Sequence, residues 1–166
     1  MTYSQKANPN ATNSELDAKV IITQPELTDA QRDELTERIL EWTQTYCASL
    51  TENYKQYHVR SMQQFSSDYA NKQLEDVKNG TANLMKFVIK NGRKYYKIMQ
   101  REFRNDNWRE GCVHAFVDKN TGEVYKPASY NAPAKYVRFD MRIINQREQL
   151  HNPLFTGWAG GYLYLR

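Results

Sequence analysis

Met85-Lys86-Phe87-Val88-Ile89-Lys90-Asn91-Gly92-Arg93-Lys94-Tyr95-Tyr96-Lys97-Ile98 is where the chain changes its period. Upstream, apolar residues recur every three or four positions. Here they alternate with charged ones, as in a half-buried strand, and Asn-Gly between two such runs is the strongest short-range hairpin signal. A two-residue turn at Asn91-Gly92 sets Lys90 opposite Arg93, Val88 opposite Tyr95 and Lys86 opposite Lys97. Opposite residues share a face. One face then holds Met85, Phe87, Ile89, Tyr96 and Ile98 and reads as core. The other holds Lys86, Val88, Lys90, Arg93, Tyr95 and Lys97, a basic face with one aromatic set among the charges.

A second hairpin is expected at Lys119-Asn120-Thr121-Gly122, with Gly122 supplying positive φ. Val117 then faces Val124 and Phe116 faces Tyr125. Val113, Ala115, Val117 and Val124 form an aliphatic face; His114, Phe116 and Tyr125 form an aromatic one. Arg104 to Gly111 reads as a polar loop containing Trp108. Val137, Phe139 and Met141 alternate with charges, which suggests another strand. Asn145 to Pro153 is polar, and Tyr162 to Arg166 reads as a last strand.

Before the switch, Thr28 and Gln31 stand at capping-box spacing. Leu35, Ile39, Trp42, Tyr46, Leu50 and Tyr54 follow on one helical face, which predicts a helix from about 29 to 56. Tyr57, Val59, Met62 and Phe65 extend it or begin a second. Asn79-Gly80 is a stop signal. Residues 1–24 are polar without an apolar period and are expected to form a flexible arm, with Val20-Ile21-Ile22 as a short docking strand. The expectation is therefore an α+β domain over 25–166, one long N-terminal helix packed on an antiparallel sheet of about five strands.

The 166 residues suit one domain with a core of its own. Cys47 and Cys112 are far apart, which argues against a disulfide framework or a zinc ribbon and fits a reducing compartment. The start has no apolar segment of signal-peptide type, and no run is long enough to span a membrane. His58, His114 and His151 are too scattered for a metal motif. Asp118 to Glu123 reads as a hairpin turn rather than a calcium loop. No glycine run precedes a Lys-Ser/Thr pair, so no phosphate-binding loop is present. Cys112 and His114 sit two apart, but a nucleophile also needs an orienting third group, and none stands out. The chain reads as non-enzymatic, with no catalytic residue, metal or cofactor.

Lys94-Tyr95-Tyr96-Lys97-Ile98, the stretch from Phe116 to Ser129, Ala132-Pro133-Ala134-Lys135, Val137-Arg138 and the ending from Gly161 to Arg166 form a joint pattern. Over roughly residues 94–166 the chain resembles a family of small uncharacterised proteins of tailed bacteriophages, common in marine phages. Tyr130 departs from that pattern, where Trp is expected; a large aromatic is kept. The resemblance implies a phage or prophage origin, hence a place in the host cytoplasm or the virion, and carries over no catalytic residue.

The net charge of +4 is unevenly placed: residues 91–166 hold thirteen Lys/Arg against seven Asp/Glu. This permits a polyanion partner without requiring one, and the 12 Tyr suit a binding surface or, more simply, fill β-sheets. In the sharpest reading Lys86, Lys90, Arg93 and Lys97 contact phosphates of DNA or RNA and Tyr95 stacks on a base. Lys119, Lys126, Lys135, Arg138 and Arg142 extend the track. The plain alternative is a solvated face whose lysines blunt an edge strand. From other classes come a virion or assembly component that oligomerises through protein contacts, and an inhibitor of a host protein.

Overall fold

Thr28 caps the first helix. Its hydroxyl accepts the Gln31 amide at 3.2 Å, and the Gln31 side chain accepts the Thr28 amide at 2.9 Å, so the expected capping box forms. In the computed structural model, which describes residues 25–165, helix α1 then runs Asp29–Gln63. It continues past 56, long enough to cross the sheet and still pack on a second helix. Ile39, Tyr46 and Leu50 are fully buried, and Leu35, Trp42 and Tyr54 pack half-buried against them. Helix α2, Asp68–Asn79, starts at the Ser67 hydroxyl and stops at Gly80 (φ +72°). That is the stop the Asn79-Gly80 pair announces.

Five strands follow as an antiparallel meander in sequence order: β1 Lys86–Asn91, β2 Tyr95–Arg104, β3 Asn107–Asp118, β4 Glu123–Tyr125 and β5 Phe139–Asp140. The architecture is α+β, as the change of period implies. Phe87, Tyr96, Ile98, Ala115, Val117 and Val124 meet Ile39, Tyr46 and Leu50 across the layer.

The first hairpin differs from the two-residue reading. Gly92 donates its amide to the Tyr95 carbonyl at 3.0 Å, and the turn spans four residues. Lys90 therefore faces Lys97 rather than Arg93, Val88 faces Met99 rather than Tyr95, and Lys86 faces Arg101 rather than Lys97. The tighter turn would have set Ile89 against Lys94 on the core face; the observed one sets it against Ile98. A shift of four preserves parity, so the two faces keep their expected members. Gly92 is required by a close approach, since a Cβ there would lie 2.7 Å from the Tyr95 carbonyl oxygen.

The polar stretch from Arg104 to Gly111 is not a loop. β2 runs through Arg104 and β3 begins at Asn107. Only Asn105 (φ +51°) and Asp106 (φ +58°) make the turn, both left-handed as in a type I′ hairpin. Asn and Asp tolerate that region better than other non-glycine residues. Trp108 pairs with Phe103, ring centroids 5.3 Å apart. Asp106→Gly is expected to stabilise the chain by about 0.5–1 kcal/mol, because glycine occupies this region without strain. Urea unfolding at unchanged slope measures it; a fall in the midpoint would refute the turn assignment.

The second hairpin forms in the expected register, Phe116 with Tyr125 and Val117 with Val124, with Gly122 at φ +73°. Its partner edge holds a surprise. Ile98 pairs with Ala115 and Met99 with Val113, which leaves His114 as an extra residue on β3. This bulge reverses the alternation. His114 leaves the face it was expected to share with Phe116 and turns to the core, 6% exposed, its ring 5.0 Å from Phe87. Phe116 and Met99 stay on the outer face yet are buried there. A small second apolar layer thus lies outside the sheet, beside the loop bridged at Pro127 and Pro133.

The C-terminal region departs most. The expected strand at 137–141 shrinks to two residues, β5. The polar segment forms helix α3, Ile144–Leu150, whose Leu150 is buried. The expected last strand is a 3-10 turn at Gly161–Leu163. Gly160 (φ +82°) bends the chain so that Tyr162 enters the core while Tyr164 stays outside. The arm 1–24, with Val20-Ile21-Ile22, and Arg166 lie outside the described residues. Among those described, no helix is long and apolar enough to cross a membrane.

Candidate functional site

Two turns, each dictated by local sequence, are brought side by side. The Gly92–Tyr95 turn and the Asp118–Gly122 turn are tied by the Lys119 amide, which donates to the Lys94 carbonyl at 3.1 Å. Arg93 and Lys94 are exposed at the first tip and Lys119 flanks the second. Lys90 and Lys97, opposite one another on the outer face, continue the patch along the strands.

These cations lie against tyrosines. Lys94 Nζ is 5.3 Å from the Tyr95 ring centroid, Lys119 Nζ 4.9 Å from Tyr96, and Lys97 Nζ 4.4 Å from Tyr130. Such contacts hold an ammonium near the surface without cancelling its charge. Two carboxylates enter the patch. Glu110 takes Lys90 Nζ at 3.0 Å, and the Tyr130 hydroxyl contacts both Lys90 (3.0 Å) and Glu110 (3.3 Å). The Tyr130 hydroxyl, then Glu110, hold Lys90 above its ordinary range; Lys90 in turn holds Glu110 below its own. Asp118 is committed to its own turn, accepting the amides of Asn120 at 2.8 Å and Thr121 at 3.1 Å, with Lys94 at 4.0 Å.

Of the residues expected to form the basic face, Lys90, Arg93 and Lys97 come together. Lys86 is exposed but further along, over the Trp108 ring at 4.2 Å. Tyr95 is half-buried, in T-shaped contact with the Phe116 and Tyr125 rings and with Lys94 Nζ over its face. Tyr130, 46% exposed, is the open ring in the patch. Lys135 is exposed. Lys126 turns over Tyr164 at 4.7 Å, away from the tips. Arg138 and Arg142 are engaged by partners within the chain. Arg138 donates to the carbonyls of Leu163, Lys135 and Tyr136 at 2.6–2.7 Å. Arg142 pairs with Asp140 at 2.7 Å and Glu123 at 3.7 Å. Lys94 was missed because a two-residue turn centred at Asn91-Gly92 draws attention away from the true tip.

Inside the core the His114 bulge completes a chain of polar groups. The Tyr46 and Tyr162 hydroxyls are hydrogen-bonded, and Tyr162 Oη meets His114 Nε2 at 2.7 Å. Burial pushes both phenols far up and holds His114 down at about 4. Cys47, buried beside them, is pushed up to about 12. Cys112 is exposed, and it and His114 border one cleft. An imidazole held this low is a poor acceptor for a thiol proton near neutrality. Among the described residues no three His, Cys, Asp or Glu side chains group as metal ligands.

A family model matches residues 25–165, and the chain belongs to that family, a family of unknown function (DUF7717). No curated protein and no solved structure matches the chain.

Proposed function

We propose, for this member of a family without an assigned activity, that the chain is a non-enzymatic phage accessory protein that binds single-stranded nucleic acid at its paired hairpin tips. The resemblance of residues 94–166 to tailed-phage proteins supports the origin. The observation that carries the binding is the grouping of Lys90 and Lys97, opposite one another on the outer face, with the exposed Arg93 and Lys94 of the adjoining turn, against two carboxylates, Glu110 and Asp118; Lys119, over the Tyr96 ring, lies to the core side of the same end. Asp118 is occupied by its turn, so the patch keeps a positive field. Tyr130, open and set among the ammonium groups, is suited to stack on an unpaired base.

Anisotropy of labelled single strands tests the reading. Four phosphates neutralised predict a log–log salt slope of about −2.8, or roughly 50-fold weaker binding between about 50 and about 200 mM salt. Arg93→Glu with Lys94→Glu, both on an exposed turn, is expected to lower affinity by at least about tenfold and flatten that slope. No saturable binding at low salt, or an unaffected double variant, would overturn it. The second reading, a virion or assembly component or a host-protein inhibitor, draws on exposed Ile144, Leu154, Tyr164 and Leu165, with Leu154 82% exposed. It predicts oligomers or a captured partner and no salt-sensitive binding.

A further inference from the structure

His114 ends its hydrogen-bond chain at a cleft. Tyr46 is fully buried, and among the described residues its hydroxyl has one partner, Tyr162. If His114 donated to Tyr162, and Tyr162 to Tyr46, the Tyr46 hydrogen would be left buried without an acceptor. A stranded donor costs about 1–3 kcal/mol, so the opposite sense is favoured. Tyr46 donates to Tyr162, and Tyr162 donates to His114 Nε2. The imidazole is neutral near pH 7, which then places its one hydrogen on Nδ1.

Among the described residues Nδ1 has no hydrogen-bond partner. It lies beside Gly160, where an added Cβ would sit 3.9 Å from Nδ1 and 3.6 Å from Cε1. Gly160 stands at φ +82°, a backbone conformation that favours glycine, and a Cβ there would only touch the imidazole at van der Waals distance. His114 and Gly160 border a cleft of about 350 Å³, whose other walls include Gln100, Trp158, Tyr164 and Lys126, with the Lys126 ammonium 4.7 Å over the Tyr164 ring. An N–H donor that is nearly buried, a cation, an amide and two aromatic walls meet in one concave site. This combination suits a flat apolar body that carries an anionic group.

We propose that this cleft binds a small planar anion, an aromatic ring bearing a carboxylate or a phosphate. Lys126 takes the anionic oxygens, His114 Nδ1–H donates to an acceptor on the ligand, and Trp158 and Tyr164 flank its ring. The bulge in β3 is what brings the imidazole to this side. None of these residues belongs to the hairpin-tip patch, so the site stands whether or not that patch binds nucleic acid.

Calorimetry of the whole chain with benzoate, adenosine monophosphate, and their neutral counterparts benzyl alcohol and adenosine tests the proposal. Benzoate or the monophosphate is expected to saturate, with the neutral counterparts at least about tenfold weaker. Lys126→Met, which keeps the aliphatic stem, is expected to weaken the anion by about tenfold or more. Nitrogen-15 spectra are expected to show His114 protonated on Nδ1, with that signal moving as benzoate is added. The inference is overturned if neither anion binds below about 10 mM, a range where even weak sites register. It is equally overturned if the neutral compounds bind as well, if Lys126→Met changes nothing, or if His114 carries its proton on Nε2.

Discussion

Phe116→Ala is expected to cost about 3–5 kcal/mol of folding free energy, as much as a change in the main core. By strand alternation Phe116 belongs to the outer face, with Lys97 and Tyr125 as its neighbours in register. An outer-face aromatic would ordinarily be cheap to remove. Here it is 1% exposed, with the Tyr95 ring 5.7 Å away and Lys97 Nζ 5.7 Å above its face. Truncation leaves a cavity between the sheet and these side chains, and a close-packed wall collapses only in part. Tyr130→Ala, on the same face but open to water, is expected to cost under about 1 kcal/mol. Urea unfolding of both variants at equal slope decides the matter. A loss below about 1 kcal/mol for Phe116→Ala would mean that the outer layer is not packed.

Stability is expected to fall by about 2–3 kcal/mol between about pH 7.5 and about pH 4.5 on account of His114 alone. An imidazole ordinarily titrates near 6.5; burial holds His114 at about 4 in the folded chain. Between these values the unfolded chain takes up a proton that the folded chain refuses. The contribution is therefore complete above about 6.5 and is lost as the pH falls toward 4. His151, lowered chiefly by burial, adds a loss of the same sign. Tyr46, Tyr162 and Cys47 are raised and stay protonated throughout, so they add none. In His114→Asn the fall over this range should shrink by the amount stated. A variant as pH-sensitive as the parent would remove His114 as the cause.

Much of the α+β fold was legible because its signals are local. Thr28 and Gln31 lie within one helical turn, and the Leu35-to-Tyr54 stripe reports a face that any helix here must bury. Gly80 and Gly122 mark left-handed positions that other residues resist. The alternation from Met85 to Ile98 identified both sheet faces even though the turn length was misread, because a register shift of four leaves parity intact. For the candidate interface, the alternation predicted that Lys90, Arg93 and Lys97 lie near one another.

What the tertiary structure alone decided depends on partners distant in the chain. Whether Arg138 is a ligand contact or a brace turned on the Leu163 carbonyl, 25 residues away. Lys94 and Lys119 became neighbours only when the two turns were tied together. The bulge that places His114 against Tyr162 arises from pairing two residues of β3 with one of β2, a mismatch that neither strand shows by itself. The last segment alternates like a strand, yet it joins no strand of the sheet and folds as a 3-10 turn that carries Tyr162 and Leu163 to the core. A short segment's pattern states which side chains avoid water; the rest of the chain determines where shelter is available.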